Sequence, residues 1–219
     1  MLFANRSQKL SNKAGQPGLV WPAFSLNCKR RIENVAYIKV WTKQNIAVLD
    51  QLKEKGRFIA EEKYIRRELG DTADIMLMIY EWLCSHSPKS YEKPSDVIYP
   101  VWISLDRETT MIPERGYVIL ELEIEESMVT LLDTAKWTRI TNYSYIPLDK
   151  EDSEAHDSFL TDMGISDARA VMTQFYPEIR KEIISSWERL FDENVRLGSD
   201  TKYGIIWEVR KEWIRKIIK

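Results

Sequence analysis

Cysteine, histidine, glycine and proline are scarce in this chain of 219 residues, which contains only 2, 2, 8 and 8 of them respectively. Two cysteines, Cys28 and Cys84, are too few for the disulfide framework of a small secreted protein, so we expect a reducing, cytoplasmic compartment. Two histidines exclude a histidine-rich metal site, and we predict no metal centre. Because 44% of the residues are hydrophobic, collagen-like and wholly disordered classes are excluded as well.

Long apolar runs and familiar cofactor motifs are also missing. No stretch approaches the roughly 20 apolar residues of a membrane-spanning helix, and the first residues lack the apolar core of a signal peptide. The glycine-rich loops of dinucleotide and nucleotide triphosphate sites are absent, as are the serine hydrolase and zinc protease motifs. A net charge of −2 gives no overall attraction to nucleic acid or membranes. We therefore predict a soluble globular protein without a membrane partner.

The charges are unevenly distributed along the chain. Residues 1–35 carry six basic side chains against one acidic, and 149–162 carry six acidic against one basic. Residues 1–34 are polar and basic and are interrupted by glycines and prolines, which predicts a poorly ordered N-terminal arm. We expect residues 35–219 to form a single domain.

Hydrophobic periodicity predicts alternating strands and helices over the rest of the chain. Strands are predicted over 36–41, 97–103, 117–124 and 128–132, and helices over 73–85, from Asp133 to about 140, and from Pro177 to about 192. Thr42 is expected to cap a helix that ends at Gly56, and 149–170 reads as an acidic loop with short helical pieces. The tail from 203 favours a strand over one amphipathic helix. This order predicts an α+β fold in which several helices pack on a small, mostly antiparallel mixed sheet.

Aromatic residues near strand ends suggest a ligand site. Trp41 and Trp102 could each stack on a flat ring, and Tyr99 comes from a strand that Pro100 confines to a sheet edge or bulge. Thr42 and Gln44 are expected at the start of a helix, where free backbone N–H groups favour a phosphate. We predict that the Trp41–Gln44 and Tyr99–Trp102 segments line one pocket. The alternative is that Thr42 only caps its helix and the tryptophans only fill the core.

Several carboxylates are candidates for chemistry beside that pocket. Glu121 and Glu123 share one face of a strand, where two carboxylates can serve as general acid and base or hold a ribose. Glu208 lies late in the chain near a strand end. Asp133 belongs to a polar cluster, although an aspartate at this position is typical of a helix N-cap.

A set of short motifs in a fixed order carries a resemblance. They are VWTKQ at 40–44, Gly56, IYEWL at 79–83, YPVW at 99–102, LELEI at 120–124, Asp133 and Trp137, and SWERLFD at 186–192. This order resembles an uncharacterised bacterial family, a domain of unknown function, over roughly residues 37–215. The resemblance implies a domain and supplies no mechanism.

A second resemblance is to ADP-ribosyltransferase-like folds, enzymes that split NAD at its glycosidic bond. It rests on a first strand ending at Thr42, a helix closed by Gly56, and a late strand followed by EWIRKI at 212–217. The family uses a His or Arg in the first strand to hold the ribose and a late-strand Glu or Gln to stabilise the transition state. Here the first strand offers Lys39, Val40 and Trp41, and the late strand offers Glu208.

Two functions therefore remain open. The first is an ADP-ribosyltransferase-like enzyme with NAD as its cofactor, acting on a nucleotide or nucleic acid. In that enzyme Thr42 and Gln44 hold the cofactor, and one of Glu121, Glu123 or Glu208 carries the chemistry. The second is a non-catalytic module that binds a nucleotide, a nucleic acid or a protein in an aromatic cleft.

Overall fold

A computed structural model of the chain describes residues 35–110, 112 and 114–219, of which Val35–Lys219 is one compact unit. The predicted N-terminal arm, residues 1–34, lies outside the described residues. The strands are β1 Tyr37–Asn45, β2 Arg57–Phe58, β3 Val101–Ile103, β4 Tyr117–Glu125, β5 Thr130–Asp133, β6 Lys202–Ile206, β7 Val209–Arg210 and β8 Ile214–Ile218. The helices are α1 Val48–Lys55, α2 Glu62–Leu69, α3 Ala73–His86, α4 Thr134–Thr141, α5 Lys150–Met163, α6 Asp167–Met172 and α7 Pro177–Ser186. The predicted α+β class is confirmed.

Two three-stranded sheets form the centre of the fold, in the orders β1-β4-β8 and β3-β6-β5. Each ladder between the described strands is antiparallel. One bridge joins the two sheets, since the backbone N–H groups of Trp41 and Ser104 each donate to the other residue's carbonyl, at 3.0 and 2.7 Å. The six strands therefore follow one another as a single curved layer.

The inner face of this layer encloses one hydrophobic core. Residues two apart in a strand share a face, so Leu120 and Leu122 of β4 lie on the same side as Val40 of β1. They meet Ile103 and Ile206 from the second sheet, and α1, β2 and β7 close the remaining sides. We call this cluster the inner core.

The outer face of β3-β6-β5 carries a second cluster, the helical core. Leu132 and Ile205 from the sheet pack there with Ile79 and Leu83 of α3 and with side chains of α4 to α7. Helix α3 therefore packs in a different core from Leu120 and Leu122 of β4. The β3-β6-β5 sheet therefore lies between the two cores, with Ile103 and Ile206 in the inner core and Leu132 and Ile205 in the helical core.

The predicted role of Thr42 as a helix cap is also wrong. β1 continues to Asn45 because β4 pairs with every residue from Tyr37 to Asn45, and α1 begins only at Val48. The Thr42 side chain is buried and its hydroxyl donates to the carbonyl of Trp102 at 2.7 Å. Gly56 does end α1, in the left-handed conformation with φ 70°.

Local capping corrects a second expectation, that of an acidic loop over 149–170. Asp149 accepts a hydrogen bond from the backbone of Asp152 and starts the 14-residue helix α5, which Gly164 ends with φ 64°. Ser166 caps α6 in the same way. The acidic segment forms a helix because His156 and Leu160, which are buried, lie four residues apart and so share one helix face.

The strand around Pro100 and the tail were the remaining uncertain segments. Only Val101–Ile103 forms a strand after Pro100. β3 is the edge strand of the β3-β6-β5 sheet and pairs with β6 alone, in agreement with the prediction of a sheet edge or bulge at Pro100, and the bridge between Ser104 and Trp41 lies beyond its end. The tail forms β6, β7 and β8, which confirms the strand prediction. Helix α7 ends at Ser186 and continues as a 3₁₀ turn to Phe191. Among the described residues no helix is long and apolar enough to cross a membrane.

Candidate functional site

The two predicted tryptophans lie on the same face of the sheet layer. The register places Trp41 opposite Glu121 and next to Ser104, so both Trp41 and Trp102 belong to the outer face of the curved layer. Trp102 packs against Trp137, with ring centroids 4.9 Å apart, and partly covers the helical core. Neither tryptophan lines either of the two cavities described below.

The three predicted glutamates hold ion pairs at two separate places. Glu121 lies 3.6 Å from the Lys39 ammonium, and Glu123 accepts a hydrogen bond from Arg215 at 2.7 Å. Both are cross-strand pairs on the outer face of β4. Neither glutamate lines the cavities described below.

Glu208 is more unusual because its side chain is only 8% exposed. One carboxylate oxygen lies 2.6 Å from Nη2 of Arg57, and the other accepts from Nε of Arg210 at 2.7 Å. Arg57 is also paired with Asp96 at 2.9 Å. A carboxylate held by two guanidinium groups is fully compensated, and it does not line either cavity.

A cavity of about 180 Å³ lies between the end of β1 and helices α1, α2 and α3, and we call it the tyrosine cavity. Its wall combines apolar side chains with two tyrosines, two amides and two carboxylates. These residues are Gln44, Asn45, Ala47, Val48, Phe58, Ala60, Glu61, Tyr64, Ile65, Glu68, Leu69 and Tyr80. Of the predicted site residues, Gln44 alone lines it.

A short hydrogen-bond relay fixes the amide of Gln44 in this wall. Its Nε2 donates to the hydroxyl of Thr42 at 2.8 Å, and that hydroxyl donates to the Trp102 carbonyl. Among the described residues the Gln44 carbonyl oxygen accepts no hydrogen bond, so the amide keeps one acceptor and one N–H for a ligand. The predicted residues Thr42, Gln44 and Trp102 are thus joined, although through the Trp102 backbone.

Tyr80 links the tyrosine cavity to a cluster of aromatic rings. Its ring centroid lies 6.4 Å from that of Tyr99, 6.2 Å from Trp102 and 6.3 Å from Trp137. Burial raises the pKa of the Tyr80 hydroxyl, so this group stays protonated and can donate a hydrogen bond. Tyr99 is itself buried, and its hydroxyl lies 3.5 Å from Glu62. Two of the predicted site residues, Tyr99 and Trp102, therefore lie in one aromatic cluster with Tyr80.

The two carboxylates at this cavity already have partners. Glu61 accepts from Gln51 at 2.7 Å and lies 2.5 Å from the Lys63 ammonium, which lowers the pKa of Glu61. Glu68 accepts from the Tyr117 hydroxyl at 2.6 Å. Their negative charge makes the cavity a poor place for a phosphate.

A second cavity of about 370 Å³ contains Asp133, and we call it the lysine cavity. Asp133 is the N-cap of α4, since its carboxylate accepts from the backbone N–H of Lys136 at 3.0 Å. The cavity wall carries charges of both signs, from Lys89, Asp133, Lys136, Asp192, Glu193, Arg196, Asp200 and Lys202. Sequence reasoning missed Lys136. The available signal was its position four residues before buried Ile140, which places it on the inward face of α4.

This α+β domain, with a curved antiparallel layer and a cavity at its helical edge, belongs to a family known from sequence. The chain is a member of the family described as a domain of unknown function, DUF3841, which matches residues 39–215. The predicted resemblance to such a family is thereby confirmed, and that to ADP-ribosyltransferase-like folds is not shown. No curated protein and no solved structure matches the chain.

Proposed function

We propose that this protein is a binding module whose tyrosine cavity accepts an uncharged, flat heteroaromatic ring of nucleobase type. The observation that carries the proposal is the fixed Gln44 amide, which faces a cavity walled by Tyr64 and Tyr80. Side-chain amides recognise base edges by pairing one donor and one acceptor, and tyrosine rings supply stacking surfaces.

The size of the cavity favours one ring system over a dinucleotide. Pockets that enclose whole drug-sized ligands measure about 300–1,000 Å³, and this one measures about 180 Å³. A sugar and phosphates would therefore lie outside it, beyond the carboxylates of Glu61 and Glu68. NAD as a whole is too large for this cavity.

The position of the glutamates also favours binding over catalysis. Transfer of ADP-ribose needs a carboxylate beside the bond that breaks. Glu121, Glu123 and Glu208 are each engaged in ion pairs, and none lines the tyrosine cavity. The non-catalytic module is accordingly the better supported of the two functions.

The direct test is calorimetric titration of the protein with adenosine, guanosine, cytidine and uridine, followed by thermal-shift measurements. A nucleoside present at 100 times its dissociation constant should raise the free energy of unfolding by about 2.7 kcal/mol. Gln44→Leu should weaken the preferred nucleoside about tenfold and reduce discrimination among bases, because it removes both hydrogen-bonding groups. Gln174→Leu is the matched control, since Gln174 is exposed and does not line the cavity.

Stacking is tested separately with Tyr64→Leu against Tyr91→Leu. Loss of a stacked ring costs about 1–3 kcal/mol of binding, whereas Tyr91 is 81% exposed and lies outside the cavity. Equal affinity in the Tyr64 and Tyr91 variants would contradict the proposal. Release of nicotinamide from NAD, abolished by Glu208→Gln, would instead favour the enzyme.

A further inference from the structure

The lysine cavity contains a cation that its surroundings do not satisfy. Lys136 is only 3% exposed, and its Nζ donates to the backbone carbonyl of Asp192 at 2.7 Å. An ammonium group has three N–H donors, and among the described residues this carbonyl is its one acceptor. Burying an ammonium is costly unless charge and hydrogen bonds compensate it, so two donors remain for a ligand.

The neighbouring carboxylates are committed to local structure. Asp133 accepts the backbone N–H of Lys136, and Asp192 accepts two hydrogen bonds from Asn194 at 2.9 Å each. Glu193 has a side chain that is 90% exposed. These acidic groups therefore lie near Lys136 without occupying its remaining donors.

Burial and the neighbouring carboxylates act in opposite directions on the pKa of Lys136. Burial lowers the pKa of this amine, and Lys202 adds to that effect by repulsion. The attraction of Asp133, Asp192 and Glu193 acts in the opposite direction and is outweighed. The acidic residues around Lys136 therefore do not fully compensate the burial of its positive charge.

A second ammonium faces the same cavity. Lys89 donates from Nζ to the carbonyl of Val129 at 2.7 Å and to that of Ser127, which leaves one of its donors free. Arg196 is a further cation in the wall, and Asp200 is a further carboxylate. Two partly satisfied ammonium groups from separate parts of the chain thus line one cavity.

We propose that the lysine cavity binds a small oxyanion of the phosphate or carboxylate type, held by the ammonium groups of Lys136 and Lys89. The oxyanion would accept the free N–H donors in charge-assisted hydrogen bonds, which are about twice as strong as neutral ones. A volume of about 370 Å³ accommodates such a group together with a small attached body.

The test titrates the full chain with inorganic phosphate and, separately, with acetate, in chloride buffers of equal ionic strength. We expect saturable heat from at least one of them. Lys136→Met keeps the length of the side chain and should weaken this binding about tenfold or more. Lys150→Met is the control and should bind as wild type does, because the Lys150 side chain is 89% exposed. Phosphate and acetate distinguish the two sources of the anion.

A second measurement avoids any loss of folding in the variants. Wild-type protein is methylated reductively with and without the anion, and each lysine is followed by mass spectrometry. The anion should protect Lys136 and leave Lys150 unaffected. No saturable binding to wild type, unchanged affinity of Lys136→Met, or equal protection of both lysines would overturn the proposal.

Discussion

Replacing Thr42 with valine tests the relay that joins the fold to the tyrosine cavity. Thr42 is 2% exposed, and its hydroxyl both donates to the Trp102 carbonyl and accepts from Gln44. Valine keeps the shape but leaves a buried carbonyl without its donor. Because an unsatisfied buried polar group costs about 1–3 kcal/mol, the free energy of unfolding should fall by that amount. Urea denaturation followed by tryptophan fluorescence measures it.

Two further substitutions at Thr42 distinguish a buried strand from a helix cap. Thr42→Ser keeps the hydroxyl and loses one methyl group, so it should cost only about 1 kcal/mol. Asparagine is among the best N-cap residues, yet in the middle of β1 it must bury a larger polar group and should cost more than valine. An asparagine variant as stable as wild type would contradict the buried position of Thr42 in β1. A valine variant of wild-type stability would refute the relay.

Gly204→Ala should lower the free energy of unfolding by about 1–3 kcal/mol, because the new Cβ would lie 2.7 Å from Cγ1 of Ile103; urea denaturation measures this, and an unchanged midpoint would contradict the packing. Burial raises the pKa of the Cys84 thiol to about 12, so peptide mass spectrometry should find it unmodified by iodoacetamide at pH 8 until urea unfolds the chain. Burial opposes ionisation of Asp152, but hydrogen bonds from the backbone of Leu148 and from two side chains lower its pKa overall. A carboxylate with a lowered pKa stabilises the fold above its unfolded pKa of about 3.9 and loses that effect as pH falls. The difference in free energy of unfolding between wild type and Asp152→Asn, measured by urea denaturation, should therefore decrease below about pH 4. A difference that stays constant with pH would contradict the lowered pKa of Asp152.

Local patterns predicted the elements well where one residue type decides the geometry. Gly56 ended its helix, Asp133 capped α4, and the alternation along β4 placed Glu121 and Glu123 on one face. The end of β1 was misjudged because a threonine is equally suited to a cap and to a strand. Only pairing with β4, which lies more than 70 residues away, determines the choice.

The candidate site was predicted only in part, for a related reason. Thr42, Gln44 and Trp102 do meet, since strands β1 and β3 are neighbours, but a backbone carbonyl makes the contact. The role of Tyr80 depends on which helix face points toward α2, and periodicity in a helix buried on several sides does not specify this. The buried charge of Lys136 was hidden because lysines are rarely inside.

Strand β6 places Ile205 in the helical core and Ile206 in the inner core, so adjacent positions with identical side chains serve opposite faces. A shift of the pairing register by one residue would exchange the faces of these two residues, and each core would still receive an isoleucine. The two preceding residues prevent this shift. Gly204 faces the crowded inner side and Tyr203 the outer side, so a shift by one residue would place the tyrosine ring on the inner side. The pairing register of β6 is therefore determined by Gly204, which has no side chain, and by Tyr203, which has a large aromatic one. The hydrophobicity of the strand alone would not determine it. Gly204→Ala would therefore have two effects. It would strain the native packing against Ile103, and it would reduce the free-energy difference between the native register of β6 and a register shifted by one residue.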